Sequence, residues 1–194
     1  MKKALAGVLA VAMAGVLAGS AMAQVPNVQV YFDSAHTQTQ ASCPGTPPFS
    51  GPPVNLYVVA NNWNMNIAGI DFSISYPPSL VWVGDQLPDP TTQVSIGQSP
   101  TGIAIAAANC CAFNGFAPVE VLWPLVIWGN CDCAGPGNPQ SIVVGGSGPG
   151  KPVPTAVRKE DFVEFPGVGM TSLICPGVIA TEPTTWGQVK ALYR

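Results

Sequence analysis

The chain has 194 residues, with seven Lys or Arg against ten Asp or Glu, and charged residues make up only 9% of it. No basic cluster occurs, which argues against a nucleic-acid partner and leaves solubility to Asn, Gln, Ser and Thr. The count of Pro and Gly, 21 of each, scatters turn signals along the whole length and excludes a long-helix or coiled-coil architecture.

The N-terminus reads as a secretory signal over residues 1–23. Lys2-Lys3 forms the charged region, residues 4–17 are apolar, and Ala21-Met22-Ala23 supplies the small-x-small cleavage pattern before Gln24. The apolar run falls short of the about 20 residues that span a bilayer. No later segment is long and apolar enough either, so no transmembrane segment is expected after cleavage. The expected location is outside a bacterial cytoplasm, extracellular or periplasmic. An even number of cysteines, Cys43, Cys110, Cys111, Cys131, Cys133 and Cys175, reads in that setting as disulfides.

After the signal, residues 27–33 (NVQVYFD) alternate and predict a first strand, and residues 42–53 a Pro/Gly-rich loop. Residues 54–60 form the next apolar run, followed by a polar link, 61–66, that holds Trp63. The clearest period-two pattern lies at 68–76. There Ala68, Ile70, Phe72, Ile74 and Tyr76 share one parity, and Gly69, Asp71, Ser73 and Ser75 the other. Pro77-Pro78 stops that strand, and Leu80 opens another over 80–83. Residues 84–92 read as a loop, Val94 and Ile96 as a short strand, 99–102 as a turn and 103–107 as a strand. A cysteine-bearing loop at 109–118 precedes a strongly apolar run at 119–128, where Pro124 predicts an edge position or a bulge. Short strands are expected at 141–144, around Val157 and at 162–165, between loops at 129–139 and 145–154. The last strand is expected at 168–174. Thr185 and Gln188 then fit a capping box, and Trp186, Val189, Leu192 and Tyr193 recur at helical spacing. The sequence predicts an all-β, jelly-roll-like antiparallel sandwich of about nine strands over residues 24–178. A linker and a short helix would follow over 179–194.

The segment Ala68-Gly69-Ile70-Asp71-Phe72-Ser73-Ile74-Ser75-Tyr76-Pro77-Pro78-Ser79-Leu80 resembles the core strand of cohesin-like and related carbohydrate-binding-module sandwiches, a family that usually carries an acidic residue where Pro77 stands. The resemblance implies a nine-stranded jelly roll used for binding rather than catalysis. It does not carry over dockerin recognition, whose surface has no residue-by-residue match here, and the long cysteine-bearing loops depart from the pattern.

The residues that could do chemistry are few. A lone His36 in a polar stretch lacks a sequence partner for acid–base work and reads as a surface residue. Asp33 and Asp71 could share an outer face, as a glycosidase pair would need, but read as solvated. Cys110-Cys111 and Cys131-Asp132-Cys133 lack the C-x₂₋₄-C knuckle of zinc sites. Asp85 and Asp89 are the weak calcium candidates, in a loop of the kind that supplies oxygen ligands. Of the tryptophans, Trp82, Trp123 and Trp128 read as core. Trp63, with Tyr57, Asn62 and Asn64, is the candidate sugar-binding set, and the competing reading of Trp63 is a corner residue that closes one end of the sandwich. No cofactor and no enzymatic activity are expected. The reading is an exported binding module for carbohydrate or an extracellular protein partner. The alternative is a self-associating structural subunit of a surface layer, filament or matrix.

Overall fold

The computed structural model describes residues 24–42, 51–108, 112–129 and 139–175. Fifteen strands follow in chain order among them: β1 Asn27–Tyr31, β2 Gln40–Ala41, β3 Val54–Asn55, β4 Tyr57–Asn61, β5 Asn66–Ser75, β6 Leu80–Gln86, β7 Gln93–Gln98, β8 Gly102–Ala107, β9 Phe113–Asn114, β10 Val119–Trp128, β11 Gln140–Gly145, β12 Thr155–Arg158, β13 Glu164–Pro166, β14 Val168–Gly169 and β15 Thr171–Ile174. They form two mixed sheets. One runs β14-β1-β4-β10-β3 with β6 also on β10. The other runs β13-β12-β5-β11-β15-β2 with β8 and β9 also on β5, and β7 on β8. The pairs β1–β14 and β15–β2 are parallel.

The two sheets enclose one apolar core. Ile70, Phe72 and Ile74 of β5, Val28 and Val30 of β1, Val58 of β4, Leu122 and Val126 of β10, and Ile103 and Ile105 of β8 are all at most 2% exposed. β5 is the hub of its sheet, because β12 and β11 share one edge of it and β8 and β9 the other. The alternation predicted at 68–76 holds from Ile70 onward. It fails at Ala68, where the β5–β12 register shifts between Val157 and Arg158. That irregularity turns Ile67, fully buried, into the core and leaves Ala68 outside it.

Several expectations are corrected by pairing that no local pattern encodes. The fifteen strand segments exceed the expected nine because single runs divide between partners. The run 54–60 breaks at Leu56, whose N–H leaves the strand to donate to Pro124 O at 2.9 Å. The run 168–174 splits at Met170. β14 lies beside β1 in the first sheet and β15 beside β11 in the second. Of the two positions expected for Pro124, the bulge is found and the edge is not: β10 has β4 and β3 on one side and β6 on the other, and register shifts on either side of the proline make room for its missing N–H. β1 ends at Tyr31, because Asp33 accepts the backbone N–H groups of Thr37 and Gln38 and turns the chain. β9 falls in a stretch expected to be loop. The expected helix over 186–193, the signal at 1–23, and all cysteines except Cys175 lie outside the described residues.

Candidate functional site

The outer face of the second sheet carries a trough that follows from strand register. Four residues line up across β7, β8, β5 and β12: Val94 opposite Ala106, Ala106 opposite Gly69, and Gly69 opposite Val157. The next row is Ile96, Ala104, Asp71 and Thr155. In the first row branched side chains flank small ones; in the second, Ile96 forms one wall and Asp71 closes the floor. Gly69 keeps the floor low: a Cβ there would sit 3.1 Å from Ile105 O. Val94 and Ile96 stand 52% and 79% exposed. The cavity beside them has a volume of about 220 Å³. It leads into a second of about 360 Å³, bounded by Val157, Lys159 and Phe162.

Phe162 tops this second cavity from the turn between β12 and β13. It is 72% exposed and has φ of 55°, a backbone conformation that bulky side chains rarely adopt. Its N–H donates to Arg158 O at 3.0 Å, and the Arg158 guanidinium, paired with Asp161, covers the ring of Phe165 at 4.7 Å. A large ring is therefore held in water by a well-bonded turn.

One charged group reaches the trough floor. Asp71 is 9% exposed, so it is not the solvated residue expected from its parity. Lys151 Nζ donates to Asp71 Oδ2 at 2.6 Å and to Glu164 Oε1 at 2.7 Å, and Ser147 Oγ donates to Asp71 Oδ1 at 3.2 Å. The Asp71 carboxylate, followed by that of Glu164, holds the Lys151 ammonium above its ordinary value against the opposing effect of burial. The charge on this floor is matched: one ammonium faces two carboxylates, and the Ser147 hydroxyl completes the shell of Asp71.

The first sheet carries a different outer surface. Tyr31 and Tyr57 are register partners on β1 and β4. His36, from the β1–β2 turn with φ of 55°, lies over both, at 5.6 and 6.3 Å between ring centroids. Its Nε2 is 2.6 Å from Glu120 Oε1, and Trp123 Nε1 donates to Glu120 Oε2 at 2.6 Å while its ring meets Tyr57 edge-on. His36 is thus not an isolated surface residue. No local pattern in the sequence announced this cluster, because strand register brings its members together.

The tentative sugar-binding set does not converge. Trp63 is a corner residue, 5% exposed, and its ring packs so closely on Gly167 that a Cβ there would meet Cη2 at 2.6 Å. A buried indole offers no face to a sugar. Tyr57 stands at the far end of β4, about 13 Å from Asn61 along the strand. Asn62 and Asn64 have φ of 60° and 53° and shape the turn around Trp63, where Asn64 Nδ2 donates to Asn62 O at 3.2 Å. Trp82, Trp123 and Trp128, expected in the core, are only half-buried.

The calcium candidates are engaged by donors of the chain itself, Asp85 from the end of β6 and Asp89 within its own loop. Asp85 takes the Trp82 Nε1–H at 3.1 Å and both the N–H and the hydroxyl of Ser99 at 2.7 Å. Asp89 takes the Thr91 and Thr92 hydroxyls at 2.5 and 2.6 Å. Those two hydroxyls hold the Asp89 carboxyl below its ordinary value. Asp33 lies in the turn after β1 of the first sheet and Asp71 on β5 of the second, and they do not form a pair. Among the described residues no three His, Cys, Asp or Glu side chains group as a metal site. Cys175, at the end of β15, is disulfide-bonded; Cys43, Cys110, Cys111, Cys131 and Cys133 lie outside the described residues.

No protein-family description matches the chain, and no curated protein matches it in sequence. Among solved structures, the cohesin module of a family 33 glycoside hydrolase from Clostridium perfringens is similar with a TM-score of 0.52. The identity is 4%, over 77% of this chain and 95% of that one. The chain has a cohesin-like fold. Two further cohesins align with TM-scores of 0.48. The sixth cohesin of scaffoldin B from Acetivibrio cellulolyticus, solved with a Cel5 dockerin variant, is 10% identical over 78% of this chain and 98% of its own. A type III cohesin from the cell-surface anchoring scaffoldin ScaE of Ruminococcus flavefaciens is 13% identical over 79% and 89%. Within the cohesin-like sandwich, the segment that carries the sequence resemblance, residues 68–80, is most of β5 and the first residue of β6.

Proposed function

We propose that this cohesin-like chain is an exported, non-catalytic module that binds a protein partner through the trough on β7, β8, β5 and β12. The observation that carries the reading is the aligned row Val94, Ala106, Gly69 and Val157. It makes a contiguous apolar surface with a small-residue floor, and such exposed patches mark interaction sites. Matched charge at Asp71 and Lys151 supports the same reading, because a partner would bury no unpaired ion there.

The test replaces Ala106 with Arg, which fills the floor without touching the core. An exported partner captured by the unaltered chain is identified, purified and titrated against both proteins. The expected result is a loss of about tenfold or more in affinity, equivalent to about 1.4 kcal/mol or more, with an unchanged melting temperature. Equal binding by the two proteins would place the partner elsewhere and refute the reading.

A second reading has its own observation. A groove of about 410 Å³ at one end of the sandwich is lined by Phe32, Trp128, Gln38, Gln40, Asn55 and Ser42. Carboxamides beside half-buried aromatic rings suit a neutral carbohydrate, and among the described residues no charged side chain lines this groove. A glycan array, repeated with Trp128→Ala, tests it; binding that survives the substitution excludes this groove.

A further inference from the structure

Among the described residues the second sheet ends, beside the trough, in a strand without a guard. We propose that β7 pairs with β7 of a second copy, antiparallel about a two-fold axis at Ile96, so that the two second sheets run on as one. The contact is the edge of the sheet and not its outer face, so it is independent of the docking role of the trough.

Among the described residues β8 is the one strand paired with β7. β7 has six residues, QVSIGQ, with neither a charge nor a proline. The other strands that end a sheet are short or guarded, as unpaired edges of natural proteins are. β2, β3, β9 and β14 have two residues each, and β13 carries Glu164 and Pro166. β6 carries Asp85, whose carboxylate holds the Ser99 turn against it. On β7, Val94 is 52% exposed and Ile96 79%, the highest value among the large hydrophobic residues described.

Register gives the direction of the free groups. The Ala108 N–H donates to Thr92 O at 2.6 Å, and the β7–β8 pairing continues that register without a shift from Gln93 opposite Ala107 to Gln98 opposite Gly102. Residues of an antiparallel pair alternate between bonding to one neighbour and to the other. The even-numbered residues of β7 therefore bond to β8, and the N–H and C=O groups of Ser95 and Gly97 point away from it. Gln93 is buried, whereas 94–98 are all exposed. The middle residue of this open edge is Ile96.

The occupant is a second copy because the edge is complementary to itself. With Ile96 on the axis, Ser95 exchanges N–H and C=O groups with the second copy's Gly97, which has no side chain to crowd the approach. The two Ile96 side chains meet in a non-hydrogen-bonded pair, where opposed residues lie closest, and cover each other on the outer face. Val94 faces the second copy's Gln98, so no charge opposes another along the seam. The row Ile96, Ala104, Asp71 and Thr155 then continues into its own counterpart. Both troughs open on one side of an unbroken sheet, with the two Asp71 residues about 24 Å apart across five strand spacings. An edge this short buries less than the about 1,200 Å² of a stable interface, so the dimer is a weak one.

The test is sedimentation equilibrium of the full exported chain from about 5 μM to about 1 mM. The expected result is a monomer–dimer equilibrium with no larger species, because a two-fold contact closes on itself. Ile96→Lys sets two like charges against each other on the axis and should weaken the dimer about tenfold or more. Ser95→Pro removes an outward N–H that β8 does not use and should weaken it similarly. Both variants should melt as the unaltered chain does when dilute; if Ser95→Pro unfolds, Ile96→Lys decides alone. A chain that stays monomeric at about 1 mM, that grows into open polymers, or whose dimer withstands Ile96→Lys overturns the proposal. A strand from a different protein found on this edge in place of the second copy overturns it as well.

Discussion

Asp71 and Lys151, 80 residues apart in sequence, meet at 2.6 Å between Oδ2 and Nζ on the rim of the trough. The pair ties the loop after β11 to the hub strand β5, and Glu164 on β13 joins it at 2.7 Å from the same ammonium. Asp71→Ala should therefore destabilise by about 1.5–3 kcal/mol, the range for hydrogen bonds to charged groups, although its place in the strand alternation suggested a near-neutral change. Urea denaturation of the two proteins measures this. A difference under about 0.5 kcal/mol, the usual surface value, would show the pair to be energetically idle.

Stability should fall in alkali. Burial pushes the Tyr76 hydroxyl well above its ordinary value of 10.0, with the charge of Asp85 adding to it and the hydrogen bond to Ser99 opposing. Lys151 is also raised from 10.5. In both cases the folded chain keeps a proton that the unfolded chain releases. The contribution is complete below about pH 10 and is lost as pH rises through the folded values. Tyr76→Phe should flatten the stability–pH curve above about pH 10; superimposable slopes would contradict the assignment. Asp89 acts with the opposite sign. Its value is depressed by the Thr91 and Thr92 hydroxyls, so its contribution is present above about 3.8 and disappears as pH drops.

The core should respond to truncation at its centre. Phe72 is completely buried between the sheets, and Phe72→Ala should cost about 3–5 kcal/mol, a large part of the stability of a domain this size. Val94→Ala, on the exposed wall of the trough, should change stability by about 0.5 kcal/mol or less. Thermal melts of the pair separate core from docking face, and a large loss for Val94→Ala would show that this wall supports the fold.

A bridge between Cys43 and Cys175 is expected from register. Ile174 lies opposite Ala41, and the Cys175 N–H donates to Ala41 O at 2.9 Å. Cys175 is therefore level with Ser42, the residue before Cys43 in sequence. Closing so long a loop stabilises by about 4–5 kcal/mol in the chain-entropy model. A second bridge is expected between one of Cys110 and Cys111 and one of Cys131 and Cys133, whose loops flank residues 119–128 in sequence. Non-reducing peptide mapping decides both, and a free thiol at Cys43 rules out the first.

Export should remove residues 1–23. N-terminal sequencing of protein recovered outside the cytoplasm should begin at Gln24, after Ala21-Met22-Ala23. A membrane-bound form that keeps Met1 would replace cleavage with anchoring.

The all-β class, the central strand and its core residues Ile70, Phe72 and Ile74 were legible in the sequence. Side-chain parity and proline punctuation are local properties of an extended chain, and burial of one face enforces them. The trough was not legible. Val94, Ala106, Gly69 and Val157 are unremarkable singly and become a surface only when three pairings bring separate stretches of chain into one row. Asp71 and His36 make the same point for charge. Each looked solvated in its own stretch, and each is engaged by a partner that only the folded chain delivers, Lys151 to the first and Glu120 to the second. Strand register fixes which distant residues become neighbours, and it is set by the collective packing of both sheets rather than by any one segment.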